Sequence, residues 1–326
     1  RKRSATRTSY HENPPHSKRQ ASDFASAIPP STFIRTRHAS STGIDTTSIV
    51  RVKKAHTTCD KETGEVDIGW PENGRIDDGF IDKNIFASGA TKHVYKLSIG
   101  SDHYVAKRFF EIGSDAEVSA SENKDYLERE LIRLRTAGWF LAKFQTLAKE
   151  RRIEFAGDVI VSEGFLVCEV GTPSPASSLS PLEEDAAVWL VEPRRTKSVQ
   201  KFSGTMIHPH RNDKLGKTLA AFTHFVYEFS GEELVFADMQ GSPMTIGGRD
   251  TLVIFDPMSH SHEADSGIGD HGEEGIKIFK AQHRCNYICN GLKLKSLSGN
   301  SSSERNDKGN NSDSSEEHDE LDLSDE

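Results

Sequence analysis

The alternation of apolar and polar positions changes period several times along the chain, and each change marks an element. Three short runs rich in β-branched and aromatic residues come first: Ile85–Ala90, His93–Leu97 and Tyr104–Phe109, the last two separated by Gly100-Ser101-Asp102. Runs of this kind bounded by turn residues predict antiparallel strands. From about Asp125 to Lys149 the period lengthens, with Leu127, Leu131, Leu134, Leu141, Phe144 and Ala148 recurring at helical spacing between charges, which predicts an amphipathic helix. Strand-like runs return at 157–161, 165–170, 187–192, 234–238 and 252–256. A second helix is expected over 218–229, ending before Ser230-Gly231, and a last one from near Glu273 to Asn290, stopped by Gly291. Strands first, then helices and strands mixed, predict an α+β fold of two lobes.

Towards both ends the periodicity gives way to charge. Residues 1–54 carry 11 Lys/Arg against 3 Asp/Glu, and residues 301–326 carry 10 Asp/Glu against 2 Lys/Arg. Both stretches are rich in Ser, Thr, Asn or Pro, a composition that buries too little surface to order itself. The expected organisation is a disordered basic segment over 1–65, one folded domain over 66–296 and a disordered acidic, Ser-rich tail over 297–326. No apolar run approaches the 18 or so residues of a membrane span. Cys59 and Cys168 stand alone and Cys285 and Cys289 are clustered, which is no secreted disulfide framework. The expected compartment is intracellular, cytoplasmic rather than nuclear. The basic head lacks interleaved aromatics, which argues against a nucleic-acid partner.

The densest chemistry is His283-Arg284-Cys285-Asn286-Tyr287-Ile288-Cys289, close behind the glycine-rich turn Gly267-Ile268-Gly269-Asp270-His271-Gly272. On a helix Cys285 and Cys289 would share a face. Two thiolates and an imidazole make three corners of a tetrahedral zinc site, so a fourth ligand must come from a distant residue. A second constellation concerns phosphate. A strand, a turn at Gly89 and a strand, followed by a strand ending Val105-Ala106-Lys107, is how kinases cover ATP and place a lysine on its phosphates. Taken alone, Lys107 reads as a solvated strand lysine and Gly89 as a hairpin turn. The HRD and DFG sequences of conventional protein kinases are absent. Two apolar runs ending in aspartate, at Ala237-Asp238-Met239-Gln240-Gly241 and Phe255-Asp256-Pro257, offer oxygen ligands suited to Mg²⁺ in their place.

Together these blocks resemble the alpha-kinases, a family of atypical protein kinases. The resemblance covers about residues 80–295. It rests on Phe86-Ala87-Ser88-Gly89, Val105–Phe109, Val191-Glu192-Pro193, Phe222–Glu228, the two aspartate blocks, the glycine turn and the His283–Cys289 cluster. The phrasing from Leu252 to His260 resembles the fungal branch. The resemblance implies a two-lobed atypical protein kinase-like fold with a structural zinc site in the C-terminal lobe. It implies a serine/threonine kinase that uses ATP, Mg²⁺ and Zn²⁺ and acts on a protein substrate, with autophosphorylation of the tails. Gly89 and Lys107 would hold the nucleotide and Glu192 would sit at the hinge beside the adenine. Gln240 and Asp256 would bind Mg²⁺, and Asp256 or Asp238 would orient or deprotonate the substrate hydroxyl, with Asp256 favoured. His224, His283, Cys285 and Cys289 would hold the zinc, ahead of His208 and His210 and of the scattered His260, His262 and His271. Gly267, Gly269 and Gly272 would seat the protein substrate, since their place late in the domain is not that of a dinucleotide-binding turn.

Two departures stand out. An asparagine-rich stretch expected after Glu192 is replaced by Lys201-Phe202-Ser203-Gly204-Thr205, and Lys92 stands where arginine is common. They leave room for a pseudokinase or a zinc-stabilised nucleotide-binding scaffold. On the kinase reading, Lys107→Ala spares the fold and abolishes turnover, whereas Cys289→Ala loses folded protein.

Overall fold

The structure, a computed structural model, describes residues 34–35, 46–112, 117–179 and 186–297. Its elements in chain order are β1 (Ile34–Arg35), β2 (Thr47–Lys54), β3 (His56–Cys59), β4 (Val66–Gly69), β5 (Ile76–Asp82), β6 (Ala87–Ser88), β7 (Lys92–Ile99) and β8 (Asp102–Phe109), then α1 (Ala120–Glu150). There follow β9 (Val159–Val161), β10 (Phe165–Glu169), β11 (Val188–Pro193), β12 (Gln200–Lys201), α2 (Lys214–Phe229), β13 (Leu234–Ala237), β14 (Gln240–Ile246), β15 (Arg249–Phe255), β16 (Met258–Ser261), α3 (Gly272–Gln282) and α4 (Tyr287–Gly291). Among the described residues no helix is long and apolar enough to cross a membrane.

The first lobe is a sheet in the order β1-β6-β7-β5-β2-β10-β11-β8 that closes through a further pairing of β7 with β8. Closure leaves no free edge on the six strands of the ring. The two-residue period then separates two faces. Val50, Val52, Leu97, Ala106, Trp189 and Val191 fill the inside, while Phe109, Leu166, Val188 and Leu190 turn outward to Leu127 and Leu131 of α1. Lys107 and Glu192 belong to this second face, which places their charged ends under the sheet beside α1.

α1 starts five residues earlier than its hydrophobic stripe suggests. Ser119 accepts from the Glu122 amide and Glu122 accepts from the Ser119 amide, a reciprocal cap that satisfies two end groups. Three other expectations change. β2 is a central strand of the ring, so the domain reaches well before residue 66. Its basic residues hid an alternation in which only Val50 and Val52 point inward. The hydrophobic run near 252 is one arm of a hairpin, β14–β15, turned by Gly247 and Gly248 at φ +56° and +79°. The last helix is broken: α3 ends with His283 in an extended conformation and α4 begins only at Tyr287. Cys285 therefore lies between helices, and the shared helical face expected for it and Cys289 does not exist. The Ser-rich acidic tail beyond residue 297 and most of the basic head lie outside the described residues.

The second lobe stacks α1 and α2 on the sheet β12-β14-β15-β9 and the ribbon β13–β16. Phe144, Phe222, Phe225, Phe236 and Ile254 form its core, and Ile288, Cys289 and Leu292 of the last segment join it.

Candidate active site and metal centre

Two ribbons meet at the cleft between the lobes. β13 pairs with β16 up to Ala237↔Met258, and β14 pairs with β15 from Gln240↔Phe255. The residues between, Asp238-Met239 on one chain and Asp256-Pro257 on the other, thus face each other where both ladders are interrupted. Asp238 and Asp256 each take a left-handed backbone, φ +49° and +54°. Aspartate tolerates this region better than most residues, yet the conformation costs of order 1 kcal/mol and persists only where neighbours enforce it. The enforcement is visible. The Asp238 amide donates to the Gly204 carbonyl at 2.9 Å, and the Met239 amide donates to Ser203 Oγ at 2.9 Å.

The first lobe brings cations to Asp256. Lys92 Nζ lies 2.7 Å from Asp256 Oδ1 and also binds the Glu130 carboxylate of α1. Lys107 Nζ is 4.0 Å from the same Asp256 oxygen and 2.5 Å from Glu192 Oε1. Burial alone would raise the Asp256 pKa, but Lys92 and then Lys107 hold it well below the usual carboxylate range. Burial likewise works against Glu192, yet Lys107 and Arg195 bring it down to about 2. Glu192 Oε2 accepts from Arg195 at 2.5 Å, and Arg195 also donates to Ser162 Oγ. The resemblance implies a place for Glu192 at the hinge beside the adenine; its carboxylate is buried there and engaged by two cations, Lys107 and Arg195.

Gln240 lies beside Asp256, with Nε2 3.5 Å from Oδ2. This amide and this carboxylate present hard oxygen donors on adjacent strands, a donor set that fits Mg²⁺ bridging phosphate oxygens. Asp238 is set apart from the pair of lysines: its Oδ1 meets Lys201 at 2.8 Å, on the two-residue strand β12. Gly89 opens the turn between β6 and β7, its amide donating to the Lys92 carbonyl at 2.9 Å.

Gly267, Gly269 and Gly272 all have positive φ, +129°, +84° and +61°. At Gly267 a side chain would collide with the Arg133 guanidinium of α1, which donates to the Ser266 carbonyl at 2.7 Å. The turn is pinned from within by Asp270, whose carboxylate accepts from the backbone of Ser261, Ser266 and Gly272 and from both serine hydroxyls. Burial opposes ionisation there, and the neighbouring His260 ring and then these donors overcome it, so the Asp270 pKa falls well below the usual range.

Away from the cleft, His224, His283, Cys285 and Cys289 converge, their ligand atoms all within 4.8 Å of one another. Cys285 Sγ is 3.8 Å from His224 Nδ1, and Cys289 Sγ is 3.6 Å from His283 Nε2. An N₂S₂ tetrahedron around Zn²⁺ has ligand–ligand edges of about 3.5 Å, so the set fits that ion. His224 Nε2 faces Glu228 Oε1 at 3.3 Å, where a carboxylate would orient the imidazole if it held a metal. Burial pushes the Cys289 thiol up to about 12 and lowers His224 to about 4 and His283 to about 3. His208 and His210 take no part in the cluster. His208 rests edge-on against Phe279.

Glu130, Arg195 and Asp270 carry no signal in the sequence pattern: Glu130 meets Lys92 across 38 residues, Arg195 pairs with Glu192 three residues before it, and Asp270 pins its own turn. Lys92 and Lys201 were visible only as departures from a pattern.

Comparison with known proteins bears on the family and the fold. The model of the alpha-kinase family matches residues 87–289. Alpha-protein kinase 1 of Dictyostelium discoideum is 42% identical over 89 residues, 27% of this chain and 6% of its own length. Myosin heavy chain kinase B of the same organism is 36% identical over 108 residues, 33% of this chain and 13% of its own length. The matched segment is thus a small part of these relatives. Among solved structures, the inactive alpha-kinase domain of myosin heavy chain kinase A in complex with ATP superposes with a TM-score of 0.56 at 15% identity, covering 76% of this chain and 98% of that domain.

Proposed function

The chain belongs to the alpha-kinase family and carries a protein kinase domain, and we propose that it transfers the γ-phosphoryl group of Mg-ATP to serine or threonine hydroxyls of a protein substrate. The observation that carries this reading is the convergence of Lys107, Asp256 and Gln240 from opposite lobes on one point, with Asp238 facing Asp256 across the interrupted ladders. Phosphoryl transfer asks chiefly for positioning and charge neutralisation. Lys107 and Lys92 supply positive charge for the phosphates. Asp256 and Gln240 would hold Mg²⁺, which when bound neutralises the β- and γ-phosphate oxygens.

The two aspartates divide the work by environment. A carboxylate held down by two lysines is a poor proton acceptor and a good metal ligand, so of the two roles expected for Asp256 the metal role would be the one it keeps. Asp238, which meets one lysine, Lys201, rather than two, would orient the attacking hydroxyl and take its proton. Gly267, Gly269 and Gly272 would let the substrate backbone approach closely. The missing asparagine stretch is offset in part by Lys201 on Asp238 and Ser203 on Met239. His224, His283, Cys285 and Cys289 would hold a structural Zn²⁺, four protein ligands leaving no position for a substrate and tying the last segment to α2.

The test is transfer of labelled γ-phosphate from Mg-ATP to the protein itself and to a generic basic protein, wild type beside Asp238→Asn and Asp256→Asn. Incorporation lost in both variants, with nucleotide binding weakened in Asp256→Asn alone, is the expected outcome. No incorporation by wild type despite intact ATP binding would overturn the kinase reading in favour of a nucleotide-binding scaffold.

A further inference from the structure

The fold buries one histidine that neither the cleft nor the metal centre uses. His260 on β16 is fully buried. Its Nε2 lies 2.9 Å from the Thr205 carbonyl oxygen, and its Nδ1 accepts from the His271 backbone N–H at 3.1 Å. A carbonyl can only accept and an amide can only donate, so the partners fix the tautomer: the proton sits on Nε2. Asp270 Oδ1, at 3.8 Å from Nδ1, is too far to compete for it. The ring also has a space reserved for it, because a Cβ on Gly275 of α3 would stand 2.3 Å from His260 Cγ. A buried side chain given one tautomer and a cleared niche is held for its two contacts.

Those contacts lead to two functional parts. His271 belongs to the glycine turn, one residue after Asp270 and one before Gly272. Thr205 follows Gly204, whose carbonyl receives the Asp238 amide at 2.9 Å. Adjacent carbonyls of one short segment are thus gripped on one side by Asp238 and on the other by His260. We propose that His260 is a positioning residue that couples the substrate-seating glycine turn to the left-handed backbone of Asp238, so that seating the protein substrate and aiming the carboxylate are one event. This rests on the roles given above to Asp238 and to the turn. It accounts for the one feature the stretch 201–205 must retain without its asparagines: a fixed backbone path past Asp238.

The two nitrogens can be tested separately. In His260→Gln the side-chain amide can replace the Nε2 donor to Thr205, and in His260→Asn the side-chain oxygen can replace the Nδ1 acceptor for His271. Phosphorylation of a generic basic protein by each variant is measured together with KM for ATP, zinc content and amide hydrogen exchange at Asp238 and His271. His260→Gln should raise the protein KM and, with the turn cut off from Asp238, lower kcat as well. His260→Asn should keep the protein KM and lower kcat at least tenfold, about 1.4 kcal/mol in the barrier. KM for ATP and zinc content should not move in either. Exchange should quicken at His271 in His260→Gln and at Asp238 in His260→Asn. Equal losses of kcat and KM in both variants, tracking their melting temperatures, would reduce His260 to a packing residue and sink the proposal. Exchange that quickens at the same amide in both variants would do the same. The exchange arm needs no turnover, so it decides the coupling even where the kinase reading fails.

Discussion

Replacing Lys107 with methionine keeps the length of the side chain and removes its charge, and the structure assigns a stability cost to that loss. Lys107 is 3% exposed and Glu192 1% exposed at the ion pair, so the lysine is not the solvated strand residue whose removal spares the fold. Taking away one partner of a buried pair costs about 3–5 kcal/mol, because the other charge is left in a poor solvent. Arg195 remains 2.5 Å from the second Glu192 oxygen, which argues for the lower end, about 3 kcal/mol. For a domain of this size that is a fall in Tm of about 6–12 °C. Adding Glu192→Gln removes the stranded charge, so the double variant should recover about 1–2 kcal/mol of coupling. Thermal unfolding of the wild type, both single variants and the double variant at equal zinc loading measures the cycle. Glu192 is held at about 2 against an ordinary 4.5. Its contribution is therefore complete above about pH 4.5 and is lost as the pH falls towards 2, and the coupling should fade across that window. A Lys107→Met protein that melts within 1–2 °C of wild type would refute the buried pair. Its inactivity could then be read as a purely catalytic loss.

Three further outcomes follow from the geometry. Cys289→Ala, or removal of zinc by a chelator, should lower Tm by more than 10 °C and release α4 from the core, seen as lost protection of Ile288 and Leu292; an unchanged Tm would remove the zinc assignment. Because the metal-free Cys289 thiol is pushed to about 12 while both imidazoles are already neutral at pH 7, zinc uptake should release at least one thiol proton, and affinity should climb with pH between 6.5 and 8. Affinity that does not change over that range would contradict it. Gly267→Ala forces a side chain onto a φ of +129° against the Arg133 guanidinium, so it should cost about 1–3 kcal/mol and raise KM for protein substrate more than KM for ATP. The opposite ranking of the two KM values would place the turn on the nucleotide side.

How much was legible in the sequence varies with how local the cause is. Period-two and period-3.6 patterns located eight of the sixteen described strands and all four helices, the last two as one, because amphipathicity is written residue by residue. Strand β2 is hidden in the sequence because the alternation that buries Val50 and Val52 runs through Arg51, Lys53 and Lys54, a charge density that also marks disordered segments. The break at His283 escaped because the ring and the two thiols are arranged by what lies across from them, not by helical spacing. The chemical types also came from sequence alone: which side chains could bind phosphate, magnesium or zinc is a property of the residues at Lys107, Gln240, Asp256, His224 and Cys289.

The tertiary structure decided what those types do to one another. Closure of the first-lobe sheet put Lys107 and Glu192 on one outward face, which made Glu192 the buried counter-ion of Lys107. The interrupted ribbons set Asp238 opposite Asp256, with Lys92 and Lys107 gathered at Asp256 and Lys201 at Asp238. His260 and Asp270, unremarkable in the chain, became fixed points because burial makes every unpaired polar atom costly and so leaves each a single set of partners. Residue types are local and survive in the linear sequence. Electrostatic roles depend on distances of a few ångströms between segments far apart in the chain, and only the folded protein sets those distances.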